Sequence, residues 1–257
     1  MTRRVVLLGK PLRRRHSVVM HNAAFAAAGI DGEYVLAEID EAAVPGAVAA
    51  ARGPEFFGLG VTAPYKQLVA TLVDEIEGDA RVIGAVNNVG RTDDGRLTGF
   101  NSDAPGFRVG VELAMGAPLT GLDVVVVGAG GAARAAVFAC LAANVGRVTV
   151  VARDVERARA LLAPWASVGR SGRRAMALGA PALPSALADI DLAVNATTVG
   201  MIDPGLPFPV EPLNDDATVF DCVYVPAETP LVAAARARGL RAGNGSEMLI
   251  AQAAIAF

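Results

Sequence analysis

The densest chemical signal in this chain is a run of glycines. Residues 128–133 read GAGGAA, which fits GxGxxG/A with alanine in the third place. That spacing suits a turn built against a phosphate. Gly128 lets the chain turn sharply, and Gly130 puts no side chain between the backbone and a pyrophosphate. Ala133 lets the next helix lie close to the preceding strand. The free N–H groups at the start of that helix attract an anion. A tight structural turn could also use glycines. Here, however, 122–127 (LDVVVV) is apolar but for Asp123, and an alanine-rich apolar segment follows to residue 141. The first is the pattern of a strand buried on both faces of a parallel sheet. Strand, turn and helix together are the context for dinucleotide binding, with backbone contacts expected at Gly128, Ala129, Gly130, Gly131 and Ala132.

The elements that must position such chemistry alternate between strand and helix. Apolar runs at 5–8, 34–39 and 56–61 read as strands. Ser17 reads as the cap of a helix over 18–28 that Gly29 closes, and 44–52 reads as helical. Pro64 breaks the third strand and can start a helix. Gly78 and Gly84 bracket a short helical piece, and 85–89 enters a strand. The sequence DDG at 93–95 signals a hairpin. Pro105 and Gly106 start a helix leading to the glycine turn. Beyond that turn, strands are expected at 148–151, 174–178, 191–195 and 219–223. Helices are expected at 155–162, 229–238 and 246–257. The stretch 166–184, rich in Gly, Pro and Arg, is the least readable. The class is α/β. In open parallel sheets ligands sit beyond the carboxyl ends of strands, so polar residues that follow these runs are the candidates for chemistry.

Bulk properties narrow the function classes. A chain of 257 residues suits one large or two modest domains, and 53% hydrophobic against 19% charged residues allows a substantial core. A formal net charge of −3 argues against general nucleic-acid binding. The longest apolar stretches hold glycines or charges and are shorter than a membrane span. The N-terminal MTRR leads into a strand-like run without a signal-peptide pattern, and Cys140 and Cys222 read as buried free thiols, which together suggest the cytoplasm. With only His16 and His21, a histidine metal cage is not expected, nor any other metal site.

Eight short motifs occur in order: GKPLRRRHSVVMHNAAF, GVTAPYK, GAVNN, GFNSD, GAGGAA, NATTVGM, DCVYVPAETPL and GSEMLIAQAA. Together they resemble the shikimate/quinate dehydrogenase family over nearly the whole chain. The resemblance implies two α/β domains around a cleft. A substrate-binding and catalytic domain would span 1–103, completed by 240–257, and a Rossmann-type NAD(P)-binding domain would span 104–239. Domain closure would then exclude water.

The resemblance implies that Lys66 and Asp103 are the catalytic pair. Reducing a ketone needs a proton for the developing alkoxide. A lysine ammonium can give it, and a nearby carboxylate keeps that lysine oriented and protonated. Thr62 and Asn87 match contacts to ring hydroxyls, Asn101 reads as a turn-former, and Tyr224 and Gln252 would close the substrate site. Thr197, Thr198, Val223 and Gly245 match positions on the nicotinamide side, while Asn195 fixes its strand end. His21 reads as structural.

Two motifs depart from the family pattern. The first usually reads H-S-x-S-P-x-x-H-N, whose two serines bind the substrate carboxylate. Ser17 is the second serine here, whereas Arg14, Arg15 and Val18 replace the first His, the first serine and the proline. Arg15 is expected to help bind a carboxylate or another substituent, since a guanidinium can make two parallel bonds to one. A solvated basic loop over 13–15 is the alternative. After the second Rossmann strand, Arg153 and Arg157 match arginines of the family's NADP form, but Ala152 and Asp154 replace its Asn and Thr. NADP is expected over NAD. The expected reaction is reversible reduction of 3-dehydroshikimate to shikimate, in a monomer or homodimer. A quinate or aminoshikimate/aminoquinate-type substrate is the runner-up. A dinucleotide-binding sensor without turnover is the third reading.

Overall fold

A computed structural model describes residues 2–12, 15–201 and 203–257. Arg13 and Arg14 of the basic run lie outside the described residues. The chain divides into two compact units, Met1–Ser102 with Ala253–Phe257 and Asp103–Gln252.

The first unit runs β1 (Arg3–Gly9), α1 (His16–Ala28), β2 (Gly32–Glu38), α2 (Val44–Ala50), β3 (Phe56–Val61), α3 (Lys66–Ala70), β4 (Glu75–Ile76), α4 (Ala80–Ile83), β5 (Asn88–Arg91) and β6 (Leu97–Phe100). Its six-stranded sheet has the order β2-β1-β3-β5-β6-β4. The first three strands are parallel, β5 runs antiparallel to both β3 and β6, and the short edge strand β4 is parallel to β6. The turn between β5 and β6 is the expected hairpin, with Gly95 at φ +83, a conformation that favours glycine. Leu8, Val44, Val48, Leu59, Val69 and Leu97 lie in a core against this sheet.

Helix α1 begins earlier than the sequence suggests. Arg15, not Ser17, stands at the N-cap, and its carbonyl accepts the Val19 N–H at 3.1 Å. Ser17 is therefore inside the first turn, where its own N–H is one of the helix's unsatisfied four. Gly29 closes the helix at φ +65 as expected. Buried His21 stacks on Tyr34 at 4.4 Å with the rings 9° apart, and Phe25 meets Phe57 and Phe257.

The second unit opens with α5 (Asp103–Met115). It continues β7 (Asp123–Val127), α6 (Gly131–Ala142), β8 (Arg147–Ala152), α7 (Val155–Leu162), β9 (Gly172–Ala177), α8 (Leu183–Ala188), β10 (Leu192–Asn195), β11 (Thr218–Asp221), α9 (Pro230–Ala237), β12 (Arg241–Asn244) and α10 (Ser246–Ala256). All six strands are parallel, in the order β12-β11-β10-β7-β8-β9. This is the doubly wound arrangement of dinucleotide-binding sheets, and the order reverses between β7 and β10. The β7 valines are at most 2% exposed, and each such burial is worth roughly 1.5–3 kcal/mol.

Two expectations need correction here. The strand expected to reach residue 223 ends at Asp221, because the Asp221 carboxylate accepts the Val223 N–H at 2.9 Å and turns the chain out of the sheet. Arg241–Asn244 forms a strand where none was expected. Only residues 253–257 of the final segment go with the first unit, since the rest of α10 packs on α5. Gly106 and Gly110 permit that packing: a Cβ at Gly106 would stand 2.7 Å from Gln252 Cβ, and one at Gly110 would stand 2.9 Å from Met248 N. Among the described residues, no helix is long and apolar enough to cross a membrane.

Candidate active site

In the first unit, the carboxyl ends of β1, β3 and β6 and the amino end of β5 share one end of the sheet. Thr62 follows β3, and its N–H donates to Leu8 O at 2.8 Å. Gly9 makes room for it, because a Cβ there would lie 2.4 Å from Thr62 Cγ2. Tyr65, buried, donates from its hydroxyl to Ile39 O at 2.6 Å and so anchors the turn that leads to Lys66. Half-buried Lys66 starts α3, and its carbonyl accepts the Val86 N–H at 3.0 Å. Asn87 is tied to β3 by donation from Val61 N to its carbonyl at 2.8 Å. Thr62, Lys66 and Asn87 therefore converge through main-chain bonds.

The Asn87 side chain is locked in turn by Ser102. Asn87 Nδ2 donates to Ser102 Oγ, and Asn87 Oδ1 accepts the Ser102 N–H. Asn101 Nδ2 donates to Ala85 O at 3.0 Å, which holds the strand end. Asp103, buried at 7% exposure, is the next residue after Ser102 and the first of α5. Ser17 and Arg15 lie at the start of α1, the helix that follows the β1 end. Arg15 is exposed.

In the second unit, the glycine turn follows β7 at the point where the strand order reverses. Gly128 has φ +129, and a Cβ there would meet Ala196 O at 2.8 Å. Gly130 is the N-cap of α6 with no side-chain cap, and a Cβ built on it would enter open space. Ala133 is fully buried against the sheet. This cradle fits a pyrophosphate: bare backbone, a helix start and room above it.

Beside it, after β8, Arg153 and Arg157 are exposed, and among the described residues neither is paired. Asp154 is engaged otherwise. It caps α7, accepting the Glu156 N–H at 2.9 Å. On the other side of the turn, Asn195 is fully buried. Its Oδ1 accepts the Thr197 N–H at 2.9 Å and hydroxyl at 2.7 Å, and its Nδ2 donates to Asp221 Oδ1 at 2.8 Å. Burial raises the Asp221 carboxyl above its ordinary value, opposed by the hydrogen bonds from Thr229, Val223 and Asn195. Gly245 donates to Val223 O at 3.3 Å. Tyr224 follows in the same loop, and Gln252 lies on α10 against Gly106, one turn beyond Asp103.

Of the two thiols, Cys140 is buried, with its pKa pushed up to about 12 by burial, and Cys222 is partly exposed. Tyr65, Ser102, Asp221 and Thr229 escaped the sequence reading. Ser102 lay inside the GFNSD motif, and Asp221 is the one acid in the expected strand 219–223, so both could have drawn attention.

Comparison with known proteins shows which family the whole chain resembles. The family model for the shikimate dehydrogenase substrate binding domain matches residues 7–89. A shikimate dehydrogenase (NADP(+)) of Sphingopyxis alaskensis is 40% identical, over 98% of this chain and 88% of that protein. The shikimate 5-dehydrogenase of Thermus thermophilus, solved with NADP(H) and shikimate, is 35% identical with a TM-score of 0.86, over 99% of this chain and 92% of that one. The quinate dehydrogenase of Corynebacterium glutamicum, solved with NAD, is also 35% identical, with a TM-score of 0.90 over 99% and 92% of the two chains.

Proposed function

This chain belongs to the shikimate dehydrogenase family, and from that premise we propose that it is an NADP-dependent oxidoreductase interconverting 3-dehydroshikimate and shikimate. The observation that carries the reading is the convergence of Thr62, Lys66 and Asn87 at one sheet end.

NADPH, when bound, supplies the hydride. The backbone from Gly128 to Ala132 would hold its pyrophosphate, and Arg153 and Arg157 its 2′-phosphate. Thr197, Thr198, Val223 and Gly245 would line the nicotinamide side. Asp154, which stands where the family's NADP form has a threonine, is held as the cap of α7, and its carboxylate would repel a phosphate rather than hold it.

Reduction builds negative charge on the ketone oxygen. The Lys66 ammonium donates a proton to that oxygen, and Asp103 orients the amine and keeps it charged. General acid help of this kind is worth ~10²–10⁴ in rate. Thr62 and Asn87 bond ring hydroxyls, Ser17 and Arg15 take the carboxylate, and Tyr224 and Gln252 complete the contacts. The test is to add shikimate and NADP⁺ to the purified protein and follow the absorbance of the reduced cofactor. Lys66→Ala should lower kcat by at least ~10²-fold with little change in shikimate affinity. No turnover by the unaltered protein with any cyclic acid would leave only a dinucleotide-binding sensor.

Arg15 favours a second reading. It stands where the family has a carboxylate-binding serine, so quinate or an amino-substituted relative is the runner-up substrate. A panel of cyclic acids ranked by kcat/KM, with NADP⁺ and NAD⁺ in parallel, separates the two.

A further inference from the structure

We infer that Asp221 is the positioning residue for the nicotinamide half of the dinucleotide site, a role that rests on the NADP reading above. The sheet order carries the first part of the argument. The glycine turn follows β7 at the centre of the sheet, and Arg153 and Arg157 follow β8 on one side. A dinucleotide whose pyrophosphate lies on the turn and whose 2′-phosphate lies toward β8 must direct its other half over the ends of β10, β11 and β12.

Those three strands end in register at Asn195, Asp221 and Asn244. Asp221 is the middle residue and is fully buried. Its Oδ1 accepts from Asn195 Nδ2 at 2.8 Å and from Val223 N at 2.9 Å, and its Oδ2 accepts the Thr229 hydroxyl at 2.6 Å. The Asn195 bond reaches the turn after β10, and the Val223 and Thr229 bonds hold the two ends of the loop between β11 and α9. Asn195 holds Thr197 through two hydrogen bonds. Val223 starts the loop that carries Tyr224, and its carbonyl takes the Gly245 N–H. Thr229 caps α9 by accepting the Val232 N–H at 3.2 Å.

One carboxylate thus ties the turn after β10 to the loop after β11, and the Gly245 N–H bond to Val223 O passes that placement on to the turn after β12. Every one of these partners donates to Asp221. An alanine would leave buried donors on Asn195, Val223 and Thr229 without their acceptor, and the turns would have to move to find others. An asparagine keeps one oxygen for Asn195 and Val223 and can donate to Thr229, whose hydroxyl is able to accept.

The test compares two ligands on Asp221→Ala, Asp221→Asn and unaltered protein. NADP⁺ spans the whole site, while adenosine 2′,5′-bisphosphate reaches the arginines and, through its 5′-phosphate, the glycine turn, but not the ends of β10, β11 and β12. Asp221→Ala should weaken NADP⁺ by about tenfold or more, leave the bisphosphate unchanged and lower kcat at saturating cofactor. Asp221→Asn should restore most of the NADP⁺ affinity. General loosening of the unit would weaken both ligands alike and would overturn the inference, as would two unchanged affinities. Failure of the unaltered protein to bind either ligand would instead refute the NADP reading. If Asp221→Ala does not fold, the near-isosteric Thr229→Val carries the same comparison: weaker NADP⁺ with an unchanged bisphosphate supports the role, and equal effects or none refute it.

Discussion

Asn87 and Ser102 hold each other through two hydrogen bonds, Asn87 Nδ2 to Ser102 Oγ at 3.0 Å and Ser102 N to Asn87 Oδ1 at 2.8 Å. Asn88 Nδ2 donates to the same Oγ at 2.8 Å and to Asn87 Oδ1 at 2.9 Å. Ser102 is fully buried, so no water stands ready to replace the hydroxyl. The amide proposed to meet a substrate hydroxyl is thereby set at one angle before any ligand arrives.

Ser102→Ala should therefore cost both stability and substrate binding. Removing the hydroxyl leaves the buried Asn87 amide and the half-buried Asn88 amide each short of an acceptor, at about 1–3 kcal/mol. The urea midpoint should fall and KM for shikimate should rise, with KM for NADP⁺ unchanged. Ser102→Thr keeps the hydroxyl and should recover most of the KM. Equal KM values in all three proteins would show that Asn87 needs no such support.

Gly128 and Gly130 should fail in different ways. Gly128→Ala meets Ala196 O and an unfavourable φ, so it should lower the melting temperature, at a cost of about 1–3 kcal/mol. Gly130→Ala enters open space. It should fold as well as the parent and lose NADP⁺ affinity, because the added methyl takes the room proposed for the pyrophosphate. A Gly130→Ala protein that binds NADP⁺ normally would place the cofactor elsewhere.

Arg153 and Arg157 should set cofactor choice. Replacing either with alanine should raise Kd for NADP⁺ by about tenfold, worth about 1.4 kcal/mol, with NAD⁺ little affected. Isothermal titration with both cofactors reads the ratio directly. Equal losses for NADP⁺ and NAD⁺ would mean that the arginines do not meet the 2′-phosphate.

His21 makes stability depend on pH. Burial holds its imidazole below the ordinary 6.5. The unfolded chain takes up that proton near 6.5 while the folded chain stays neutral, so the unfolded state binds more protons as pH falls. The stabilisation is complete above 6.5 and declines as pH drops from there toward the lowered folded value. Urea midpoints at about pH 7.5 and 5.5 should differ in the parent, and less so in His21→Phe, which keeps a ring against Tyr34. An equal difference in both proteins would assign it to other groups.

Gly106 keeps α10 close to α5. A Cβ there meets Gln252 Cβ at 2.7 Å and Met248 O at 3.0 Å, both on α10, where the backbone cannot move away alone. Gly106→Ala should cost about 1–3 kcal/mol by overpacking and raise KM for shikimate by displacing Gln252. Normal KM with lowered stability would separate Gln252 from the substrate site.

Much of this was legible in the sequence because the signals were local. The glycine turn sits between a valine run and an alanine-rich helix, and strands β3, β7 and β8 are mostly apolar. Gly95 and Gly29 mark backbone conformations that few other residues adopt. What escaped depends on distant neighbours. The β12 sequence RAGN has no apolar alternation, and it forms a strand only because Thr218 to Asp221 offer a parallel edge. Strand β4 is two residues long. Asp221 read as an interior residue of the 219–223 strand because its partners Asn195 and Thr229 lie 26 and 8 residues away. The start of α1 was misplaced because Ser17 has a favourable cap chemistry that its main chain does not use.

Trp165, the chain's single tryptophan, is fully buried in the second unit, edge-on to Phe138 at 6.0 Å and with the Arg134 guanidinium 5.2 Å from its ring centre. Both partners belong to α6, the helix that follows the glycine turn. Emission excited at the indole band therefore originates wholly in that unit. It can time the unfolding of the Rossmann half while the other half stays dark, and it gives a label-free optical signal for whatever settles at the head of α6.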